Sequence, residues 1–127
     1  MKITDVKTYL MHVGAPPPPE SAKGDAGVAR TSTAWGSRNW LFIRVFTDEG
    51  IYGVGECSGW PRVIETAVQD VKPLLIGEDP FDIERIFQKL LVATMGHGMT
   101  GIVGSGMMAG IDMALWDIKG KTLDTPV

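Results

Sequence analysis

Paired carboxylates are the usual equipment of proton-transfer chemistry, and Asp112 and Asp117 share one helix-like stretch. They lie five positions apart, which turns them about 140° from each other on a helix, so they do not converge on one reacting atom. Glu56 follows a strand-like run and reads as a surface or hydrogen-bonded structural acid. Cys57 is the one cysteine, and no histidine is near it in sequence to draw off its proton. A small, buried residue at a strand end describes it better than a nucleophile does. His12 alternates along the first strand-like run, where meeting the short stretch after residue 57 is the lesser of its readings. His97 stands between Gly96 and Gly98, where glycine frees the chain from regular structure. It either faces a binding site or is a plain surface or interface histidine.

Contact chemistry is better represented than transfer chemistry. Ser58 and Trp60 lie in the short stretch "CSGWP", where a hydroxyl and an indole can both touch a small substrate. Ser58 has a second reading, as a helix cap near Pro61. Trp35 is a large ring in a long loop, either an apolar wall over a ligand or an anchor holding the loop on a sheet. Arg30 and Arg38 flank the end of that loop. A cation there suits an acidic substrate, and a plain exposed charge is the other reading.

The elements that must position these residues follow from pattern. Residues 2–13 are rich in β-branched and aromatic side chains and form a strand. "NWLFIRVFT" at 39–47 is a stronger strand, with Trp40, Phe42, Arg44 and Phe46 on one face and Leu41, Ile43 and Val45 on the other. Both faces are largely apolar, which predicts a central or covered strand. "TDEG" turns the chain at Gly50, and residues 51–57 return as a hairpin partner. Gly53 and Gly55 leave one face of that strand bare, so something packs close to its backbone. A helix is predicted over 61–75, with Pro61 at its first position, and Gly77 stops it. Asp79 is the expected N-cap of a second helix, which "MGHGMTG" from Met95 breaks. A third helix spans 102–119. Three antiparallel strands followed by three helices define an α+β fold. Residues 14–38, with Pro16, Pro17, Pro18, Pro19 and then Gly24, Gly27 and Gly36, fit no regular element; loops this long are usually functional covers or disordered.

Of the 127 residues, 44% are hydrophobic and 21% charged, ordinary for a soluble globular domain with a core. A net charge of −3 with scattered Lys and Arg argues against nucleic-acid and membrane partners. No signal peptide or membrane span is evident, and a single cysteine fits the reducing cytoplasm.

The third helix is harder to house. Val103, Met107, Ile111, Ala114, Leu115 and Ile118 form one stripe, while Ile102, Met108, Ala109, Met113 and Trp116 fall outside it. Five such residues left uncovered forgo roughly 7 kcal/mol of burial. Gly104, Gly106 and Gly110 each cost about 1 kcal/mol in a helix but let another backbone approach. The expectation is that the second side of this helix faces a partner outside the chain.

Four stretches, "KITDVKTYL", "NWLFIRVFTDEGIYGVGEC", "LIGEDPFDIERIFQKL" and "AGIDMALWDIKGKTLDTPV", resemble the N-terminal domain of the enolase superfamily, in its mandelate racemase and muconate lactonizing enzyme branch. The resemblance spans nearly the whole chain apart from the Pro/Gly loop, and the last stretch is its most specific part. It implies that residues 1–127 are a cap domain, that a catalytic (β/α)₇β barrel follows and is absent here, and that the barrel is the missing partner. It further implies a parent that abstracts a proton α to a carboxylate with Mg²⁺. The metal-binding acids and the bases belong to barrel strands. No catalytic residue, metal ligand or cofactor is therefore assigned to this chain.

In such proteins the cap selects substrate through two loops, here residues 14–38 and 57–61. The candidate substrate contacts are Trp35, Ser58, Trp60, His97 and Arg30. The implied parent is an acid-sugar dehydratase, or else a racemase or epimerase. It is cytoplasmic, homo-oligomeric and acts on a small carboxylate. A different class stays open: a self-contained binding or oligomerising module that uses its apolar last helix.

Overall fold

The structure is a computed structural model that describes residues 1–14, 37–96 and 101–127. Strands β1 (Ile3–Gly14), β2 (Ser37–Thr47) and β3 (Tyr52–Cys57) form an antiparallel sheet in the order β1-β2-β3. Helices α1 (Pro61–Leu75), α2 (Ile83–Met95) and α3 (Ile102–Thr122) follow. The expected α+β order is thus the observed one. Leu41, Ile43 and Val45 alternate onto the inner face of β2 and are completely buried, joined there by Ile64, Val68, Met107, Ile111, Leu115 and Ile118 of the helices. The β2–β3 turn is closed by Thr47, whose N–H and hydroxyl both donate to the Ile51 carbonyl (3.1 and 2.7 Å), with Gly50 at φ +80°.

β2 is central, as its pattern predicts, but helices cover only its inner face. The outer face is stacked instead. The Arg44 guanidinium lies 5.1 Å from the Tyr9 ring centre and 5.0 Å from that of Tyr52, and Lys7 Nζ lies 5.3 Å from that of Phe46. Lys7 and Arg44 are directly opposed across β1 and β2. Like charges so placed repel, and resting each on an aromatic face offsets that repulsion.

The bare face of β3 is where α3 lies. A side chain on Gly53 would strike the carbonyl of Ala114, and one on Gly55 the carbonyl of Gly110. From the other side, Gly106 meets the Ser58 carbonyl and Gly110 meets Cys57 Sγ. Gly106 and Gly110 thus admit another backbone, as expected, and it is β3 and its following loop in the same chain. Met108 departs from expectation: it is only 6% exposed, covered by its own chain.

α1 matches its predicted span, and Gly77 follows it at φ +84°. α2 starts later than expected. Asp79 does not cap it; Asp79 instead forms a turn, its Oδ1 accepting from Phe81 N–H at 3.0 Å, and Asp82 takes the N-cap position. The same side-chain chemistry serves turns and caps, which is why sequence did not separate them. Between the helices, Glu78 is ion-paired to Arg85 and, at 2.7 Å, to Lys89. These partners hold its carboxyl down at about 2, with Arg85 first in importance. The same turn exchanges backbone bonds with Ile3 (2.9 and 2.8 Å), tying β1 to the α1–α2 connection.

Candidate functional site

The short connection Ser58-Gly59-Trp60 joins β3 to α1 and rests on the first turns of α3. Gly59 adopts φ +121°, a conformation open to glycine, and a side chain there would crowd Ile64 and Ile102. This sharp bend projects the neighbours on either side. Ser58 is exposed, and Trp60 is 54% exposed at the N-cap of α1 with no side-chain cap bond. The capping reading of Ser58 therefore does not apply. Its carbonyl packs on Gly106, and no hydrogen bond occupies its hydroxyl among the described residues. Gly59 was not singled out by sequence reasoning; the signal was a glycine between two contact residues at a strand-to-helix corner.

The connection continues into an apolar stripe on α3. Ile102, which touches Gly59, is 60% exposed, and Met113 and Trp116 are 44% and 40% exposed; Ala109 is exposed as well. At 100° per residue these four lie within about 60° of arc, so they make one face. Four of the five residues expected to be uncovered are uncovered. At its far end the stripe is bounded by Lys119, whose Nζ lies 4.9 Å from the Trp116 ring centre.

Other candidates are placed as follows. Trp35, Arg30 and His97 lie outside the described residues. His12 is exposed on β1, its Nδ1 2.6 Å from Asn39 Oδ1. Cys57 is buried, and burial pushes its thiol up to about 12, the opposite of nucleophile activation. Asp117 is committed to structure: Oδ2 accepts from Val54 N–H at 2.8 Å and from Lys121 Nζ at 2.7 Å. Burial raises the Asp112 carboxyl, with Glu84 adding to the effect. Among the described residues no three His, Cys, Asp or Glu are grouped to hold a metal ion. No helix among them is long and apolar enough to cross a membrane. What the described surface offers is contact: an indole, a hydroxyl and an apolar stripe at one corner.

A three-stranded meander, a strand-to-helix corner and three helices of this kind are the architecture of the enolase-superfamily N-terminal domain. A solved enolase-superfamily member from Polaromonas sp. superposes with a TM-score of 0.77 at 28% identity, covering 97% of this chain and 31% of that one. The 3,6-anhydro-D-galactonate cycloisomerase of Zobellia galactanivorans gives 0.74 at 26% identity, covering 97% and 29%. Residues 21–127 match the profile of the mandelate racemase / muconate lactonizing enzyme N-terminal domain, and the chain belongs to that family. Among curated relatives, the D-galactonate dehydratase of Verminephrobacter eiseniae is 44% identical over 90 residues, 69% of this chain and 23% of its own length. The chain thus spans about a quarter of the length of the curated relatives it matches.

Proposed function

We propose that this chain is the substrate-capping domain of a Mg²⁺-dependent acid-sugar dehydratase, acting in the cytoplasm on a D-galactonate-like acid. The observation that carries the reading is the exposed apolar face of Ile102, Ala109, Met113 and Trp116 on α3, whose first residue lies against Gly59 next to the exposed Trp60, read beside the chain's share of its dehydratase relatives. An apolar stripe of this size is what a domain presents to a covalently linked neighbour. In this reading the neighbour is a (β/α)₇β barrel. The metal and the proton-abstracting base belong to that barrel, so no chemical step falls to the described residues.

Their task is to close the site. With the stripe seated, Ser58 and Trp60 sit at the barrel mouth. The indole excludes water from the reacting carboxylate, and the free hydroxyl meets a hydroxyl of the polyhydroxy acid. Trp35, Arg30 and His97 complete the substrate contacts in this proposal. The racemase or epimerase alternative loses ground because curated relatives 44% and 43% identical to this chain are D-galactonate dehydratases.

The test is an assay of the polypeptide continued past Val127, with Mg²⁺ and a panel of sugar acids. Dehydration of a galactonate-type acid is expected. Ser58→Ala and Trp60→Ala should impair turnover of that acid by about tenfold or more while leaving the metal requirement unchanged. The 127-residue chain alone should be inactive. Turnover by the chain alone, or a continued polypeptide indifferent to both substitutions, would overturn the reading.

A further inference from the structure

A carboxylate that folding half-buries is normally held by donors. Asp5 is held by Lys72 and by Val6 N–H, Glu65 by the Thr8 hydroxyl, Glu78 by Arg85 and Lys89, and Asp117 by Val54 N–H and Lys121. Glu56 and Asp112 are half-buried as well, yet neither carboxylate has a hydrogen bond or an ion pair among the described residues. Glu56 stands on β3 opposite Phe42, away from the stripe on α3. Asp112 stands beside that stripe. It lies about 40° around α3 from Trp116 and about 60° from Ala109, on the flank turned toward α2. The charge that α2 sets near it is not a cation but Glu84; burial first, and then this like charge, raise the Asp112 carboxyl. Lys119, two turns further along the same flank, is aimed elsewhere: its Nζ lies 4.9 Å from the Trp116 ring centre and 6.0 Å from that of Phe81.

Whatever packs on Ile102, Ala109, Met113 and Trp116 also takes Asp112 out of water, because so small an arc separates them. A covered carboxylate must then be paired or give up its charge. With Glu84 beside it, a cation answers the local field better than a neutral N–H donor does. We propose that the domain seated on the α3 stripe presents a basic side chain, an arginine or a lysine, to Asp112. The inference rests on the capping reading and adds the partner's chemistry to it: an apolar surface with one cation at its edge. The occupant is the further domain that the relatives' length implies, since this chain spans 23% of its D-galactonate dehydratase relative. Apolar contact along a helix tolerates sliding and rotation. A charge pair at one edge fixes the register, and with it the position of Ser58 and Trp60.

The test places Asp112→Asn, Asp112→Lys and Asp112→Glu in the 127-residue chain and in the polypeptide continued past Val127, with each fold checked by circular dichroism. Urea unfolding and hydroxyl-radical labelling of Met113 and Trp116 are then measured. In the 127-residue chain, Asp112→Asn removes no bond and relieves the repulsion by Glu84, so the unfolding midpoint should hold or rise. In the continued polypeptide the same substitution should raise labelling of both residues about threefold or more. Asp112→Lys, which sets cation against cation, should raise it further, and Asp112→Glu should keep most of the protection. Protection that Asp112→Asn and Asp112→Lys leave intact would overturn this proposal and spare the capping reading. So would an equal loss of stability in the short chain, which would make the role of Asp112 internal. A continued polypeptide with no protection even when unsubstituted would overturn both. Protection in the short chain that grows with its concentration would put a second copy on the stripe and also overturn the proposal.

Discussion

The carbonyl oxygen of Ala114 occupies the space that a side chain on Gly53 would need. Helix α3 therefore lies directly on the backbone of β3, and Gly55 under Gly110 repeats the arrangement one strand repeat on. Neither obstacle is a flexible side-chain tip that can swing away. Gly53→Ala and Gly55→Ala should each destabilise the fold by about 3 kcal/mol or more, as overpacking against backbone does. Urea unfolding of the two variants measures this; a loss under about 1 kcal/mol would mean that α3 sits farther from the sheet.

The corner at Gly59 should be separable from the core. Gly59→Ala meets both the positive φ and the crowding by Ile64 and Ile102, and should cost about 1–3 kcal/mol. Ser58→Ala caps nothing and should change stability by less than about 0.5 kcal/mol. Thermal unfolding of the pair distinguishes them, and equal losses would show that Ser58 has a structural bond after all.

Stability should fall in acid through Glu78. Its ordinary value of 4.5 is lowered to about 2 in the fold by Arg85 and then Lys89, so the folded state favours the ionised form. That contribution is fully present above about pH 4.5, where the unfolded chain is ionised too, and is lost as pH falls toward 2. Asp5, lowered chiefly by its hydrogen bond to Lys72, acts in the same direction. Glu78→Gln should flatten the pH dependence of the unfolding free energy across this window. An unchanged slope would remove Glu78 as a cause.

Cys57 should report folding rather than reactivity. A buried thiol pushed up to about 12 is protonated at neutral pH and shielded by Gly110. A thiol-specific dye should leave the native chain unlabelled for hours and label it at once in denaturant. Rapid labelling of the native chain would show that the β3–α3 contact opens.

Much of this architecture was legible because it depends on local pattern. The alternation in β2, the turn at Gly50, Pro61 at the start of α1 and Gly77 at its end each act through their own backbone, and each stands where pattern puts it. Gly53 and Gly55 announced a close approach but not its occupant. The bare face of β3 and the glycines of α3 are two halves of one contact, and spacing within either element cannot show that they meet. The same limit hid Met108, the Arg44 stack, and the closure of β3 by Asp117 and Lys121, all of which depend on pairs far apart in the chain. At the candidate site, Ser58 and Trp60 were proposed from residue type alone. Their projection depends on Gly59, whose role needs a backbone angle.

Hydroxyl-radical footprinting of Met113 and Trp116 tests the capping account most directly. Both side chains are more than a third exposed in this chain, and the account seats them against a neighbouring domain. It predicts strong labelling of both in the 127-residue chain and protection of both in the polypeptide continued past Val127. Equal labelling in the two would contradict it, because the stripe on α3 would then cover nothing.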